Sequence, residues 1–448
     1  MSEITVSSDA LYQTQTQQAL NNFQISQRRM PASFIKALAQ IKAAAASANG
    51  ELGELEPSLA SAIYSEALNI VEGKHREQFL VDVFQTGSGT SSNMNMNEVL
   101  ATLVSRKLQQ PVHANDHINR GQSSNDVIPS AIHVAAAQCL HQYLLPALGH
   151  VIEVLDDKAK QYQDVVKTGR THLMDAVPLR FTQEISAWQA QLSDNRQRLQ
   201  HCLNDLQQLP LGGTAVGSGL NAHPKMAALA CQQLQQMTGI PFQPCHNNFA
   251  RIASQDVAAA CSGQLKVLAV TLMKISNDLR WMNSGPLAGL GEIQLPALQP
   301  GSSIMPGKVN PVIPEAVAMV AAQIIGNDAT ITVAAQSGNF QLNVMLPVVA
   351  SNLLESLEIA TNACWHLSDK AIQGLQVNRQ HLEKNLSCNP MLATALNGVI
   401  GYEQAAKIAK RAYQQQRPII DVAIEMRGLN EAELRKLLDP KNLTGSGM

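Results

Sequence analysis

Apolar side chains recur every three or four residues over five long stretches of this chain, a pattern that leaves little room for anything but a bundle of helices. Across 183–209 the repeat is Ile185, Trp188, Leu192, Leu199, Leu203 and Leu206. Across 255–282 it is Val257, Cys261, Leu265, Leu268, Leu272, Ile275, Leu279 and Met282, about seven turns of helix. The same spacing runs through 130–165 and 313–335. A fifth stretch starts at Pro347, a residue suited to a first helical turn, and continues through Leu353, Leu357, Ala360 and Cys364. Helices this long exceed the globular average of about 11–12 residues. Several together predict a mainly α protein with an elongated central bundle. Small residues, as in AVAMVAAQIIG (316–326), let neighbouring helices approach closely, and aromatics at only 4% disfavour a β-sandwich.

A chain of 448 residues implies more than one domain. The expected boundaries are an N-terminal domain over 1–123, a helical centre over 124–377 and a small helical C-terminal domain over 378–448, ending in a loose LTGSGM tail. A net charge of −2 gives no electrostatic footing for nucleic acid, so any cationic ligand site is local. Seven scattered cysteines without a Cys-x-x-Cys read as reduced thiols, not as a disulfide framework or a zinc site. The N-terminus lacks an apolar signal core and is not arginine-rich. No uninterrupted apolar run approaches about 18 residues, so no membrane span is expected, and the cytoplasm is the simple compartment. The glycines at 212, 213, 217 and 219 follow a helical pattern, not a strand, and lack the downstream acid of a dinucleotide fold.

The densest chemistry lies in 301–315, GSSIMPGKVNPVIPE. Gly301 and Gly307 allow close backbone approach, while Pro306, Pro311 and Pro314 restrict the loop. Ser302 and Ser303 bring hydroxyls, Lys308 a cation and Asn310 an amide, an inventory suited to an anion whose charge grows during reaction. The loop is not a phosphate-binding P-loop, because the glycine spacing is wrong and Val309 follows the lysine. Further donors cluster at Ser88, Gly89 and Thr90, at Ser123, Ser124 and Asn125, and at Thr171 and His172. Read alone, Ser-Ser-Asn before a helix is a cap, and the Asn-rich run at 93–98 is a polar loop or helix start. His113 and His117 have metal-ligand spacing but no apparent third ligand, so no metal is expected.

Five segments occur in order: TGSGTSSNMNMNE (86–98), HANDHINRGQSSND (113–126), GRTHLMDAVP (169–178), LGGTAVGSGLNAHP (211–224) and the 301–315 loop. Together they resemble the fumarase/aspartase superfamily over nearly the whole chain, and most nearly its class II fumarases. The resemblance implies a three-domain fold, a homotetramer whose central helices form one shared bundle, and active sites built from three subunits. It implies metal-independent interconversion of fumarate and L-malate through an aci-carboxylate intermediate, with no cofactor. Ser302 would be the base, His172 the partner acid acting through water, Glu315 its orienting carboxylate, and Lys308 and Asn310 the dianion stabilisers. Ser88, Gly89, Thr90, Ser123, Ser124, Asn125, Thr171, Ser303 and Val309 would complete the substrate contacts. His113, Ala114, Asn115 and Asp116 match a peripheral dicarboxylate site, although Ala114 stands where the family usually has proline. His172 stands where aspartases usually have glutamine, which favours malate over aspartate. Leu287 and Met174 replace a common arginine and glutamine. An aspartate ammonia-lyase and a non-catalytic scaffold of the same fold are the alternatives.

Overall fold

The structure is a computed structural model that describes residues 6–301, 303–427 and 430–445. Its elements run α1 (Thr14–Asn22), α2 (Ala32–Glu51), α3 (Pro57–Val71), α4 (Thr90–Leu108), α5 (Ser124–Cys139) and α6 (Leu145–Gln161). A hairpin follows, β1 (Val166–Thr171) and β2 (Met174–Arg180). Then come α7 (Phe181–Leu206), α8 (Met226–Thr238), α9 (Asn248–Ala253), α10 (Asp256–Met282), α11 (Val312–Ala335) and α12 (Leu346–Leu367), before a series of shorter C-terminal helices. The protein is mainly α. Strand pairing among the described residues is limited to three two-stranded pairs.

The five apolar stripes each become helix. Along 130–165 the α-helix is interrupted once, by a π-helical turn at Leu140–Leu144 that joins α5 to α6. Local chemistry sets the helix starts. Glu56 accepts from the Leu59 amide at 3.1 Å with Pro57 in the first turn of α3. Ser123 and Asp126 form a reciprocal capping box on α5. Asn93, Asn95 and Asn97 lie buried inside α4, not in a polar loop. Their amide nitrogens are bonded, as in Asn95 Nδ2 to Gln78 O at 3.0 Å, while the Asn93 and Asn97 oxygens are left without a partner among the described residues. Buried Glu98 ends the same run and accepts the amides of Gln13, Gln15 and Thr16 at 2.8–3.0 Å, holding the start of α1.

The chain divides into two compact units. Residues 1–147, 195–270 and 320–362 make the first, and 148–194, 271–319 and 363–448 the second. In the first unit α2 packs on α3, α5 and α8. Alanine-rich α2 is buried nearly all round, with Phe34, Leu38, Ile41 and Lys42 fully enclosed. In the second unit β1 and β2 pair antiparallel from Val166 and Arg180 to Thr171 and Met174. Buried charges brace the hairpin: Lys167 Nζ lies 2.6 Å from Glu184, and Arg170 Nη1 lies 2.6 Å from Glu292. Lys167 also approaches Glu292 to 2.7 Å, as an ion pair and not as an aligned hydrogen bond. The C-terminal helices enclose a core of their own around Leu396, Ile408, Val422 and Leu434.

By length and composition, α10 and α11 are each apolar enough to cross a membrane, with mean hydropathy of 1.3 and 1.4 over an 18-residue window. Scattered polar residues interrupt both, so neither contains the uninterrupted run sought in the sequence. Half of that window is buried in α10 and only a third in α11. Val270, Met319 and Val333 are among the apolar side chains left exposed.

Candidate active site

In the first unit the donors gather at two helix starts. Gly89 caps α4 from the left-handed region, at φ 72°, and a side chain there would meet Ile128 at 2.9 Å. No acidic residue occupies the first turn of α4, so its amide dipoles keep a positive end for an anion. The Ser88 and Thr90 hydroxyls lie 2.7 Å apart at that end. Gly87, two residues earlier, is pressed against the chain: a Cβ would lie 1.8 Å from the Val344 carbonyl oxygen.

The second helix start is the turn into α5. Ser123 Oγ accepts from the Asn125 amide at 3.2 Å, and Ser124 Oγ accepts from Asn93 Nδ2 at 3.0 Å. Asn125 Nδ2 donates to Ala215 O at 2.8 Å. Fully buried Asp126 ties this turn to the 212–215 loop. One of its oxygens accepts the Ser123 amide at 2.9 Å, and the other accepts the Gly212 and Thr214 amides, both at 2.9 Å. Thr214 has φ of 56°, a strained conformation for a β-branched residue, which these bonds help to impose. Burial pushes the Asp126 carboxyl up to about 6, against the pull of its three amide donors and of Lys42.

In the second unit Lys308, Val309, Asn310 and Glu315 line a cavity of about 570 Å³ with Arg280 and Ser284. Lys308 Nζ donates to Asn310 Oδ1 at 2.7 Å, and Asn310 Nδ2 donates to Gly301 O at 3.2 Å. The loop thus closes on itself. A Cβ on Gly301 would lie 1.7 Å from the Lys308 carbonyl oxygen, so only glycine fits there. Glu315 stands in the first turn of α11, half-buried. Ser303 and Lys308 are exposed, and Ser302 lies outside the described residues.

Thr171 and His172 are at the exposed end of the β1–β2 hairpin. His172 and Leu173 form its two-residue turn with φ of 55° and 62°, both in the left-handed region favoured by Asn-Gly. A histidine held there projects from a strained turn on a braced hairpin. Among the described residues no hydrogen bond or ion pair joins His172 to Glu315, and His172 does not line the Lys308 cavity.

The four donor groups named from the sequence fall in two different units of one chain. Ser88, Thr90 and Ser123–Asn125 belong to the first unit; Thr171, His172, Lys308, Asn310 and Glu315 belong to the second. The sequence reading missed Arg280 and Ser284 on the cavity wall, and the Asp126 tie. Arg280 falls on the polar side of the α10 stripe, between Leu279 and Met282, where an exposed charge is unremarkable from sequence. Exposed Asn115 and Asp116 lie on a π-helical turn, Ala114–Ile118, and exposed His113 precedes it, its amide donating to His117 Nδ1 at 2.9 Å. Among the described residues no group of three His, Cys, Asp or Glu side chains is arranged to hold a metal.

A helical scaffold with hydroxyls and amides at helix starts, and a lysine on a glycine-closed loop, defines a lyase of the fumarase/aspartase fold. A family model described as "Lyase" matches residues 2–326, and one described as "Fumarase C C-terminus" matches residues 392–445. The chain belongs to the class II fumarase family. It is 57% identical to "Fumarate hydratase class II 2" of Pseudomonas aeruginosa, covering all of this chain and 98% of that one. It is 55% identical to "Fumarate hydratase class II" of Xylella fastidiosa, covering all of this chain and 95% of that one. Among solved structures, the class II fumarase from Schistosoma mansoni superposes with a TM-score of 0.94 at 37% identity, over 98% of this chain and 96% of that one.

Proposed function

We propose that this chain is a fumarate hydratase that interconverts fumarate and L-malate without a metal. The observation that carries the reading is the closed loop in which Lys308 and Asn310 are held to each other and to Gly301 beside Arg280. Two cations and an amide on one wall suit a dicarboxylate whose charge rises as a carbon-bound proton leaves.

In the dehydration direction Ser302, as an alkoxide stabilised by neighbouring N–H groups and Lys308, takes the proton from C3 of malate and becomes the neutral hydroxyl. The electron pair moves onto the adjacent carboxylate, giving an aci-carboxylate dianion that Lys308 and Asn310 stabilise. The pair then returns to form the C2–C3 double bond as hydroxide leaves C2, protonated by His172 through water. Glu315 orients and charges His172. Ser88, Thr90 and Ser123–Asn125 hold the substrate carboxylates, and Thr171, Ser303 and Val309 complete the pocket. The roles of Ser302, His172 and Glu315 rest on the family resemblance. Whether His113–Asp116 takes up a second dicarboxylate rests on it too.

We further propose a homotetramer whose active sites combine segments of three subunits, acting in the cytoplasm. The apolar, largely uncovered α11 supports this assembly, because an exposed face of that kind calls for partner helices. The seven free cysteines fit a reducing compartment.

The test is ultraviolet absorbance of the purified protein with a chelator present and no added metal. L-malate should give the absorbance of fumarate, and L-aspartate should give none. A rise with aspartate alone would make the protein an ammonia-lyase, and silence with both would sink the catalytic reading. Site sharing is tested by mixing inactive His172→Asn and Ser124→Ala variants after dissociation. Activity should reappear, and failure of every such pairing counts against shared sites.

A further inference from the structure

Lys42 has no place in the reaction just described, yet it is fully buried in α2. An enclosed ammonium without an ion-pair partner is costly, and no carboxylate lies within ion-pair distance of Lys42 among the described residues. Its proton donors go instead to Asn119 Oδ1 at 2.9 Å and Gln122 Oε1 at 3.0 Å. Both acceptors belong to the segment that leads into Ser123. Asn119 is a hub: its carbonyl oxygen also accepts from Asn93 at 3.3 Å and Asn97 at 3.2 Å, and its amide donates to Gln122 O at 3.2 Å.

The direction of these bonds matters. An ammonium can only donate, so protonated Lys42 fixes Asn119 with its oxygen inward and its amide on the turn. Asn93, held by the same oxygen, gives its amide to Ser124 Oγ. Ser123 Oγ accepts from the Asn125 amide. Each serine oxygen thus receives a proton from below, which leaves its own hydroxyl proton for an outside acceptor. Two hydroxyls oriented as donors are what a carboxylate requires.

We propose that Lys42 is a positioning residue: through Asn119 and Gln122 its buried ammonium sets the 122–126 turn and orients Ser123 and Ser124 as donors to a substrate carboxylate. The proposal rests on the reading of that turn as a substrate contact. Asp126 holds the same turn through its own partners, the Ser123, Gly212 and Thr214 amides.

The experiment compares Lys42→Met, Lys42→Arg and Asn119→Ala in the intact enzyme with Ile41→Val, a control for lost packing in the same buried helix. Loss of a charged donor should raise KM for fumarate and malate about 10-fold or more, with kcat within about threefold. Lys42→Arg should recover part of the loss, and Ile41→Val should leave KM unchanged. Amide exchange in 122–126 should quicken in Lys42→Met and Asn119→Ala but not in the control. Unchanged KM in a folded Lys42→Met would overturn the proposal. If that variant does not fold, unchanged KM in Asn119→Ala would do so. Should the wild type be silent with both substrates, the functional reading fails instead, and exchange at 122–126 alone decides the positioning: faster exchange supports it and unchanged exchange overturns it.

Discussion

The turn at 122–126 and the loop at 301–310 both present donors suited to an anion, but they hold them in opposite ways. The turn is braced from inside. Asp126 is fully buried and accepts three amides, Asn93 supports Ser124, and Lys42 anchors the approach. The loop closes along its own length, by Lys308 to Asn310 and Asn310 to Gly301, and Ile304 and Lys308 are exposed. Donors whose job is to grip substrate in both directions of the reaction can be rigid. Donors that must meet charge appearing at one moment sit on an exposed loop. Stability and turnover should therefore separate between the two regions.

The loop side of that contrast carries the largest expected effect. Lys308→Ala or Asn310→Ala removes a donor aimed at the developing dianion, which typically costs about 2.7–4 kcal/mol of transition-state stabilisation. Turnover should fall on the order of 10²–10³-fold, from the same energy range. Thermal stability should stay near wild type, since the loop contributes little buried surface. Steady-state kinetics beside a thermal melt checks both halves. A variant with near-normal kcat breaks the assignment, and a large drop in melting temperature breaks the contrast.

The turn side should reveal itself through pH. Burial pushes Lys42 down to about 7 from an ordinary lysine value of 10.5, with the Asp126 charge opposing the shift. Between these values the unfolded chain binds more protons at this site than the folded one, so the lysine's contribution to stability rises with pH from about 7 to 10.5. Asp126, raised to about 6 from 3.8, acts in the other sense, and its contribution falls as pH rises through that window. Denaturant unfolding of wild type and Lys42→Met at several pH values isolates the lysine. The upward slope above pH 7 should flatten in the variant. An identical slope would mean that Lys42 keeps an ordinary proton affinity and that the buried brace is less enclosed than its geometry indicates.

The sequence made some of this legible and hid the rest, for physical reasons. The long helices were readable because burying one stripe imposes a 3.6-residue period, and α10 and α11 begin and end within a residue or so of the pattern. The π-helical turn at Leu140–Leu144 keeps the apolar spacing, so it leaves no mark in the pattern. The β1–β2 hairpin went unseen because His172-Leu173 occupies a turn that Asn-Gly would normally announce. Gly301 was legible as a close-approach glycine, although its collision partner, the Lys308 carbonyl, was not. Lys42 and Asp126 were invisible as a pair: nothing in an alanine-rich helix 84 residues away connects its lysine to a capping box. Burial and the hydrogen-bond map connect them.

The smallest expected effect lies between the two regions in character. Leu287 stands where the superfamily commonly has arginine, in the segment that follows the cavity residues Ser284 and Gly285. It is 95% exposed, so it contributes almost nothing to packing. Leu287→Arg should leave stability within about 0.5 kcal/mol, as surface substitutions usually do. A cation near a dicarboxylate site in water and salt is worth little, roughly the 0.2–1 kcal/mol of an exposed ion pair. KM should therefore fall only about two- to fivefold, with kcat unchanged, and the gain should fade at high salt. A large, salt-insensitive gain would mean that the segment closes over the substrate and excludes water. The loop region would then be enclosed during the reaction, and its present openness would be one state of two.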